Sequence, residues 1–242
     1  MPLHLGIGLG RLAEAVQARL GYTVDYQGVK VHLDTSLGAS VRRSLRWGDY
    51  EGRELELVRA MLQDTDVVME VGAGLGVVST FCAKAVGSER VFAYEANPAM
   101  EEYIRRTYAL NGVSPTLEVC ALGEHGGEQV LCLGQDFSSA TTLPPKERWP
   151  AIIVPAKCFD DEVRRRAATF LIVDIEGAES ELCRYARFPG VQHVIMELHG
   201  ALMPADRDEL IARMHSAGFQ LDDLASDPPH ESEQPVVLFS RA

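Results

Sequence analysis

Residues 67–76 read VVMEVGAGLG, an apolar run that ends in glycines at every second position. Such a short apolar run is typical of a strand that is covered on both faces. Gly72, Gly74 and Gly76 allow the backbone to turn sharply, and they let a ligand approach the backbone amides closely. The stretch therefore predicts a strand, a ligand-binding turn and a helix, in that order.

The next strand-like run supports a ligand at this turn. Val91-Phe92-Ala93-Tyr94 is followed by Glu95, nineteen residues after Gly76. A carboxylate at the end of the second strand of such a unit can accept the hydroxyl groups of a ribose. Together, the two features indicate an adenosine-containing cofactor at the switch point of a sheet.

The spacing of the glycines favours one class of cofactor. Dinucleotide-binding turns have the spacing G-x-G-x-x-G, in which amides and a helix dipole meet a pyrophosphate. Here the spacing is G-x-G-x-G, and an acid, Glu70, comes two residues before the first glycine. An anion at this position disfavours a pyrophosphate and suits a cationic ligand that carries an amino group and a sulfonium. The pattern favours S-adenosylmethionine (SAM) over NAD, with an NAD-dependent oxidoreductase and a non-catalytic adenosyl-binding protein as alternatives.

From Asp66 onward, strand-like and helix-like segments alternate along the chain. This alternation predicts an α/β, Rossmann-like fold with a doubly wound, mostly parallel seven-stranded sheet. The final runs, 219–221 and 236–240, are close in sequence and should pair antiparallel at one edge, while residues 122–157 should hold an extra β-ribbon. The predicted core strands are 67–71, 91–95, 116–121, 170–174 and 192–197, and the predicted helices are 76–86, 98–110, 158–166, 179–186 and 204–217.

Residues 1–62 are predicted to form an N-terminal extension of mixed structure, placed before a SAM-binding domain at 63–242. The extension should contain a helix from Arg11 to Leu20, a hairpin over 22–33, a polar stretch and a helix from about Arg53 to Gln63. Tyr50 and Glu51 come just before that last helix, so we expect them to form part of a lid over the cofactor. The alternative is that Tyr50 and Glu51 only mark the start of the helix.

The composition excludes some partners. The net charge of the 242 residues is −12, whereas nucleic-acid binding needs clustered Lys and Arg. Five scattered cysteines without a C-x-x-C pair indicate reduced thiols, and neither a signal peptide nor a membrane-spanning run is recognisable. We therefore expect a cytoplasmic protein with a small-molecule partner and without a nucleic-acid or membrane partner; the sequence leaves the oligomeric state open.

A second apolar strand ends in clustered acids. Residues 169–181 read TFLIVDIEGAESE, and residues 196–199 read MELH. Because the carboxyl ends of parallel strands meet at one edge of a sheet, one rim facing the cofactor should carry four side chains: Asp174, Glu176, Glu197 and His199.

Each of these acidic groups also has a structural interpretation. Asp174 and Glu176 could cap the following helix, and Glu197 and His199 could simply satisfy each other. Glu179 and Glu181 fall in the first turn of that helix, where the helix dipole favours anions. We expect helix electrostatics to be the main role of these last two.

Several segments together resemble the FkbM family of SAM-dependent methyltransferases. They appear in the family's order over about residues 45–200: Tyr50-Glu51, Glu70–Gly76, Ala93–Pro98, Asn111, Val173–Glu179 and Met196–His199. The chain departs from the family pattern at Val173, where lysine is usual, and at Ala96, where proline is common. The resemblance implies a class I methyltransferase fold and methyl transfer from SAM, commonly to a hydroxyl oxygen of a natural product or sugar.

The resemblance and the residue patterns define the predicted site. We expect Asp174, Glu176, Glu197 and His199 to be catalytic, with His199 or a carboxylate as the base. Ser139 should border the acceptor, although an ordinary surface loop is the alternative. A divalent metal is chemically compatible with these side chains, but the resemblance does not require one and we expect none. The predicted cofactor contacts are Glu70, Gly72, Ala73, Gly74, Gly76, Glu95, Ala96, Asn97, Ala121 and Asp174.

Overall fold

The structure is a computed structural model that describes residues 21–134, 140–142, 149–199, 204–223, 225–228 and 234–241. The predicted helix Arg11–Leu20 and the predicted acceptor-site residue Ser139 lie outside these ranges. None of the helices within these ranges has the length and apolar character needed to cross a membrane.

The strands, in chain order, are β1 (Tyr22–Tyr26), β2 (Val29–Leu33), β3 (Val68–Val71), β4 (Val91–Glu95), β5 (Thr116–Val119), β6 (Ala121–Gly123), β7 (Gly127–Leu133), β8 (Ala140–Thr141), β9 (Ala151–Cys158), β10 (Phe170–Val173), β11 (His193–Glu197), β12 (Phe219–Leu221) and β13 (Val236–Arg241). The α-helices are α1 (Ala39–Trp47), α2 (Gly52–Met61), α3 (Val77–Val86), α4 (Glu101–Asn111), α5 (Phe159–Arg166), α6 (Glu179–Tyr185) and α7 (Pro204–Ser216). Short 3₁₀ turns cover Ser88–Arg90 and Pro98–Met100.

The main sheet has seven strands in the order β12-β13-β11-β10-β3-β4-β5. The five strands from β11 to β5 are parallel, whereas β13 pairs antiparallel with both β11 and β12. Every residue of β3 and of β10 is buried, as expected for central strands covered by helices on both faces. The doubly wound sheet with a mixed edge is therefore confirmed.

The strand order places a crevice next to β3. From β3 the chain continues to β4 and β5 on one side, whereas β10 and β11 lie on the other side. The order reverses between β3 and β10, and open α/β sheets bind ligands outside the carboxyl ends of the strands at such a switch point. The glycine turn after β3 and the acids after β10 meet there.

A second, four-stranded sheet, in the order β6-β9-β7-β8, lies between β5 and α5 in the chain. It contains the predicted ribbon as the antiparallel pair β7–β9. The predicted strand 116–121 is wrong in its second part: β5 ends at Val119, and β6 pairs with β9 instead of continuing along the main sheet. The chain changes sheets at the buried residue Cys120.

The described part of the N-terminal extension packs directly on the main fold. The hairpin β1–β2 forms as predicted, and its buried residues share one hydrophobic core with α3, α4 and the main sheet. Asn111 of α4 accepts a hydrogen bond from the Lys30 backbone N–H at 2.9 Å and donates one to the Lys30 carbonyl at 2.8 Å. The predicted polar stretch contains a helix, α1, because Val41 and Leu45 supply a narrow buried stripe among exposed arginines.

Candidate functional site

A cavity of about 590 Å³ opens at the carboxyl edge of the main sheet. Its walls come from the glycine turn, the ends of β4, β10 and β11, the second sheet and the start of α2. The cavity thus combines the switch point of the sheet with residues from the N-terminal extension. Its volume falls within the range of small-molecule sites, which is roughly 300–1,000 Å³.

Gly72 holds the turn against the neighbouring strands. Its φ is +89°, and a Cβ at this position would lie 1.7 Å from the carbonyl oxygen of Asp174. The N–H groups of Gly72 and Ala73 donate to the Tyr94 carbonyl at 2.9 and 3.2 Å. No side chain fits at Gly72, so the backbone of the turn lies close to both β4 and the end of β10.

Gly74 connects the turn to the extension. A Cβ on Gly74 would lie 2.9 Å from the Tyr50 hydroxyl and 3.2 Å from Oε1 of Glu51. Glu51 itself has a left-handed backbone, with φ 47°, immediately before α2. Both predicted lid residues therefore lie over the glycine turn and line the cavity.

Glu95 is held by backbone amides at the end of β4. Its Oε2 accepts the Gly74 N–H at 3.0 Å, and its Oε1 accepts the Asn97 N–H at 2.8 Å. The residue is 8% exposed, and burial raises the pKa of its carboxyl to about 7. A carboxylate fixed in this way at the cavity wall can accept the hydroxyls of a ribose.

Glu70 lies behind the cavity wall. Its Oε1 accepts the backbone N–H of Ser79 at 3.2 Å, in the first turn of α3, where the helix leaves N–H groups without internal partners. The side chain is 2% exposed, and burial raises the pKa of its carboxyl to about 8. The predicted cofactor contact at Glu70 is therefore placed as a support for the helix that follows the turn.

The predicted cofactor residues divide into two groups. Those that line the cavity are Gly72, Gly74, Glu95, Ala96, Ala121 and Asp174. Those that stand behind it and shape the turn or the adjoining loop are Glu70, Ala73, Gly76 and Asn97.

Four predicted catalytic side chains meet at the ends of β10 and β11. Nε2 of His199 lies 3.5 Å from Asp174 Oδ1, 3.4 Å from Glu176 Oε2 and 3.8 Å from Glu197 Oε2. All four residues line the cavity. Asp174 and Glu197 are also hydrogen-bonded to each other through their carboxyl groups.

Glu179 corrects one expectation from the sequence. This side chain is fully buried, and its Oε1 bonds to Nδ1 of His199 at 3.0 Å. The same oxygen accepts the backbone N–H groups of Ile175 and Gly177, at 3.3 and 3.1 Å. Glu179 therefore orients His199 and the loop after β10, which is a larger role than the helix electrostatics we expected. Glu181, in contrast, is exposed.

The three predicted catalytic carboxyl groups and the imidazole of the cluster each have a raised pKa. Burial disfavours the imidazolium, but the Glu179 hydrogen bond and the nearby carboxylates outweigh it and raise the pKa of His199 to about 10. Burial, assisted by the charge of Asp174, raises the pKa of Glu176 to about 7 and that of Glu197 to about 8. Burial also raises the pKa of Asp174.

Two residues of the site, Glu54 and Glu179, were not assigned to it from the sequence, although a signal was available. Glu54 of α2 lines the cavity while 5% exposed, and burial raises the pKa of its carboxyl to about 7. Glu54 precedes the buried Leu57 and Val58 by three and four residues, and Glu179 precedes Leu182 and Cys183 with the same spacing. An acid on the apolar stripe of a helix is therefore the sequence signal for this kind of residue.

The cavity as a whole is acidic. Eleven of its described lining residues are Asp or Glu, against one arginine and two histidines. The arginine, Arg53, is already paired with Glu56 at 2.9 Å and Asp227 at 3.1 Å. The close approach at Gly72, the fixed Glu95 carboxyl group and this excess of acidic over basic side chains fit a cationic adenosyl cofactor better than a pyrophosphate.

Comparison with solved structures gives the fold class. Protein PH0793 of Pyrococcus horikoshii superposes with a TM-score of 0.53 at 15% identity, covering 90% of this chain and 70% of that one. TYW2 of Pyrococcus horikoshii, solved in complex with MeSAdo, gives a TM-score of 0.51 at 14% identity with the same coverage. These comparisons show that the chain has the class I, Rossmann-like methyltransferase fold.

The family follows from the sequence itself. Residues 70–221 match the model of the methyltransferase FkbM domain, which is more than half of the chain. The chain belongs to the FkbM methyltransferase family, and its methyl donor is SAM. No curated protein matches the chain significantly.

Proposed function

We propose that the chain transfers the methyl group of SAM to a hydroxyl oxygen of a small molecule, with Glu176 as the general base. The single observation that carries the proposal is the position of Glu176 between the fixed cluster and the cavity. Its side chain is 37% exposed, against 7% for His199 and 26% for Asp174. Glu176 is thus the member of the cluster with the most access to an acceptor.

The backbone supports this role for Glu176. Its φ is 53°, a conformation that non-glycine residues rarely adopt and that costs on the order of 1 kcal/mol or more. The adjoining Gly177 N–H is held by Glu179, so the loop that presents Glu176 is fixed from behind. A strained residue in a fixed loop at a cavity wall is typical of a functional position.

In this proposal, the cofactor lies across the glycine turn. Gly72 and Gly74 provide the close backbone approach, and Glu95 accepts the ribose hydroxyls. Bound SAM supplies an electrophilic methyl group to the acceptor. Glu176 would accept the proton of the acceptor hydroxyl as the methyl group passes from the sulfonium sulfur to the oxygen, which leaves S-adenosylhomocysteine. The acidic walls would disfavour anionic acceptors.

The shape and charge of the site favour a small-molecule acceptor over a nucleic acid. The second sheet covers one side of the cavity through residues of β6, β7 and β9. An acidic, partly covered cavity in a chain of net charge −12 repels a phosphate backbone. The five cysteines are free thiols, which fits a cytoplasmic location.

Two titrations and one assay test the proposal. Calorimetry with S-adenosylhomocysteine and with NAD should show binding of the first only. A panel of hydroxylated and amine-bearing metabolites, assayed with labelled SAM, should then yield an O-methylated product. Binding of NAD without binding of S-adenosylhomocysteine, or a product methylated only on nitrogen, would overturn the proposal.

The variant Glu176→Gln tests the assigned base. We expect kcat to fall by about 10²–10⁴-fold because a positioned base contributes that much, while the affinity for S-adenosylhomocysteine changes little. Glu181→Gln is the matched control, since it removes the same charge from an exposed lining residue that is not part of the four-residue cluster. If both variants retain similar activity, another group takes the proton.

A further inference from the structure

We propose that Asp174, Glu197 and His199 bind a divalent transition-metal ion at the cavity wall. Each offers one ligand atom, and these three atoms lie within 4.8 Å of one another. All three residues line the cavity, so an ion bound there would face the acceptor. This metal site goes beyond the proposed methyl transfer and does not depend on it.

The separations within the cluster suit a shared ion. Nε2 of His199 lies 3.5 Å from Asp174 Oδ1 and 3.8 Å from Glu197 Oε2, beyond the roughly 2.7–3.2 Å of an N–H···O hydrogen bond. Ligands about 2.1 Å from one ion are roughly 3.0–3.4 Å apart in octahedral or tetrahedral geometry. A contraction of a few tenths of an ångström would therefore bring these atoms into coordination.

His199 is oriented as a metal ligand. Its side chain is 7% exposed, and among the described residues its one hydrogen bond joins Nδ1 to Glu179. Metal-binding histidines commonly donate one ring N–H to a carboxylate, which leaves the other nitrogen free to coordinate. Here the buried Glu179 fixes Nδ1, so Nε2 points at the carboxylates of Asp174 and Glu197.

Asp174 supplies a second, independent indication. Its Oδ1 is buried and has no hydrogen-bond partner among the described residues, although it lies within the cluster. Its carboxyl group also lies close to that of Glu197, so two acidic side chains face the same point from neighbouring strands. A divalent ion at this point would give the orphaned oxygen of Asp174 a partner.

The donor set indicates the class of metal. Two carboxylates and one imidazole suit Mn²⁺ or Zn²⁺, because carboxylates are preferred by Mn²⁺ and imidazole by Zn²⁺, whereas Mg²⁺ and Ca²⁺ prefer oxygen alone. Glu176, 3.4 Å from Nε2 of His199, remains on the open side of the cluster. An ion here would bind the acceptor oxygen and favour the loss of its proton to Glu176. This proposal departs from our expectation of a site without metal.

The test is a titration of the purified, EDTA-treated chain with Mn²⁺. Electron paramagnetic resonance measures the Mn²⁺ that remains free, and Zn²⁺ is added as a competitor. We expect one tightly bound Mn²⁺ per chain. Asp174→Asn and Glu197→Gln should each weaken binding at least tenfold. Glu179→Gln changes no proposed ligand but alters the hydrogen bond that orients His199, so it should weaken binding by about 10–100-fold. Glu181→Gln, with the same loss of charge, should bind like the parent chain.

Two results would contradict the metal site. One is that the parent chain binds neither Mn²⁺ nor Zn²⁺; the other is that Asp174→Asn and Glu197→Gln bind the ion as well as Glu181→Gln does. Circular dichroism identifies a variant that fails to fold. If one of Asp174→Asn and Glu197→Gln does not fold, the other is enough to test the site. A separate titration with S-adenosylhomocysteine distinguishes the two proposals, since cofactor binding without metal binding overturns only the metal site.

Discussion

Gly72 is the residue at which the glycine turn and the end of β10 approach most closely. A Cβ on Gly72 would overlap the Asp174 carbonyl oxygen, which lies 1.7 Å away, and its N–H donates to Tyr94 on the other side. The loop that carries Asp174 and Glu176 is thereby positioned by the glycine turn, where we propose that the cofactor binds. One glycine therefore couples the glycine-turn half of the site to its acidic half.

Gly72→Ala should destabilise the chain more than positive φ alone explains. The matched control is Gly28→Ala, because Gly28 has φ +86° and, among the described residues other than its chain neighbours, no atom within 4 Å of its Cβ position. We expect Gly28→Ala to cost about 1–2 kcal/mol in the free energy of unfolding and Gly72→Ala clearly more. Urea denaturation measures both values. Equal losses in the free energy of unfolding would show that the structure relieves the overlap between the added Cβ and the Asp174 carbonyl oxygen at no energetic cost.

At the scale of elements, the start of α2 closes the site from the side of the extension. The Tyr50 hydroxyl accepts the backbone N–H of Leu75 in the glycine turn and is hydrogen-bonded to the Glu51 side chain. Burial raises the pKa of both groups well above their usual ranges. The extension is thus attached to the glycine turn by a half-buried tyrosine–glutamate pair.

Tyr50→Phe should weaken the binding of S-adenosylhomocysteine by about 5–30-fold, because the Leu75 N–H and Glu51 each lose a hydrogen-bond partner. Tyr103→Phe is the control, since its hydroxyl contacts Ser36 in the extension, and Tyr103 does not line the cavity. Calorimetry on both variants gives the comparison. If the two affinities match that of the parent chain, Tyr50 has no part in holding the cofactor turn.

The sequence predicted elements better than it predicted pairings between distant elements. The apolar runs at β3 and β10 and the spacing from Gly76 to Glu95 depend on local periodicity, so they were visible in one sequence. The transfer of Ala121–Gly123 to the second sheet depends on pairing with residues 156–158, and no local pattern encodes it. Likewise, the bond from Glu179 to His199 spans twenty residues. The only local signal for the buried acids Glu54 and Glu179 is their position on the apolar stripes of α2 and α6.

At the scale of the whole molecule, several buried carboxyl groups have a raised pKa. Burial raises the pKa of Glu54 and Glu95 to about 7 and that of Glu70 to about 8, from an ordinary value of 4.5. Between these values the native state holds protons that the unfolded chain releases. The acidic site is therefore maintained at the expense of stability at neutral pH, as is common for functional sites.

The free energy of unfolding should consequently fall as pH rises from about 5 to about 8. We expect the Tm without ligand to be about 5–10 °C lower at pH 8 than at pH 5. A loss of several kcal/mol in the free energy of unfolding would lower the Tm of a domain of this size by about that amount. Glu70→Gln keeps an acceptor for the Ser79 N–H but has no proton to release, so its Tm should depend less steeply on pH. Glu56→Gln changes an exposed acid on α2, so its Tm should depend on pH as that of the parent chain does.

Calorimetric scans between pH 5 and pH 8 measure the Tm of all three chains. A Tm that rises with pH, or equal slopes for Glu70→Gln and Glu56→Gln, would show that these acids are ionised in the folded state and that the cavity holds their full negative charge.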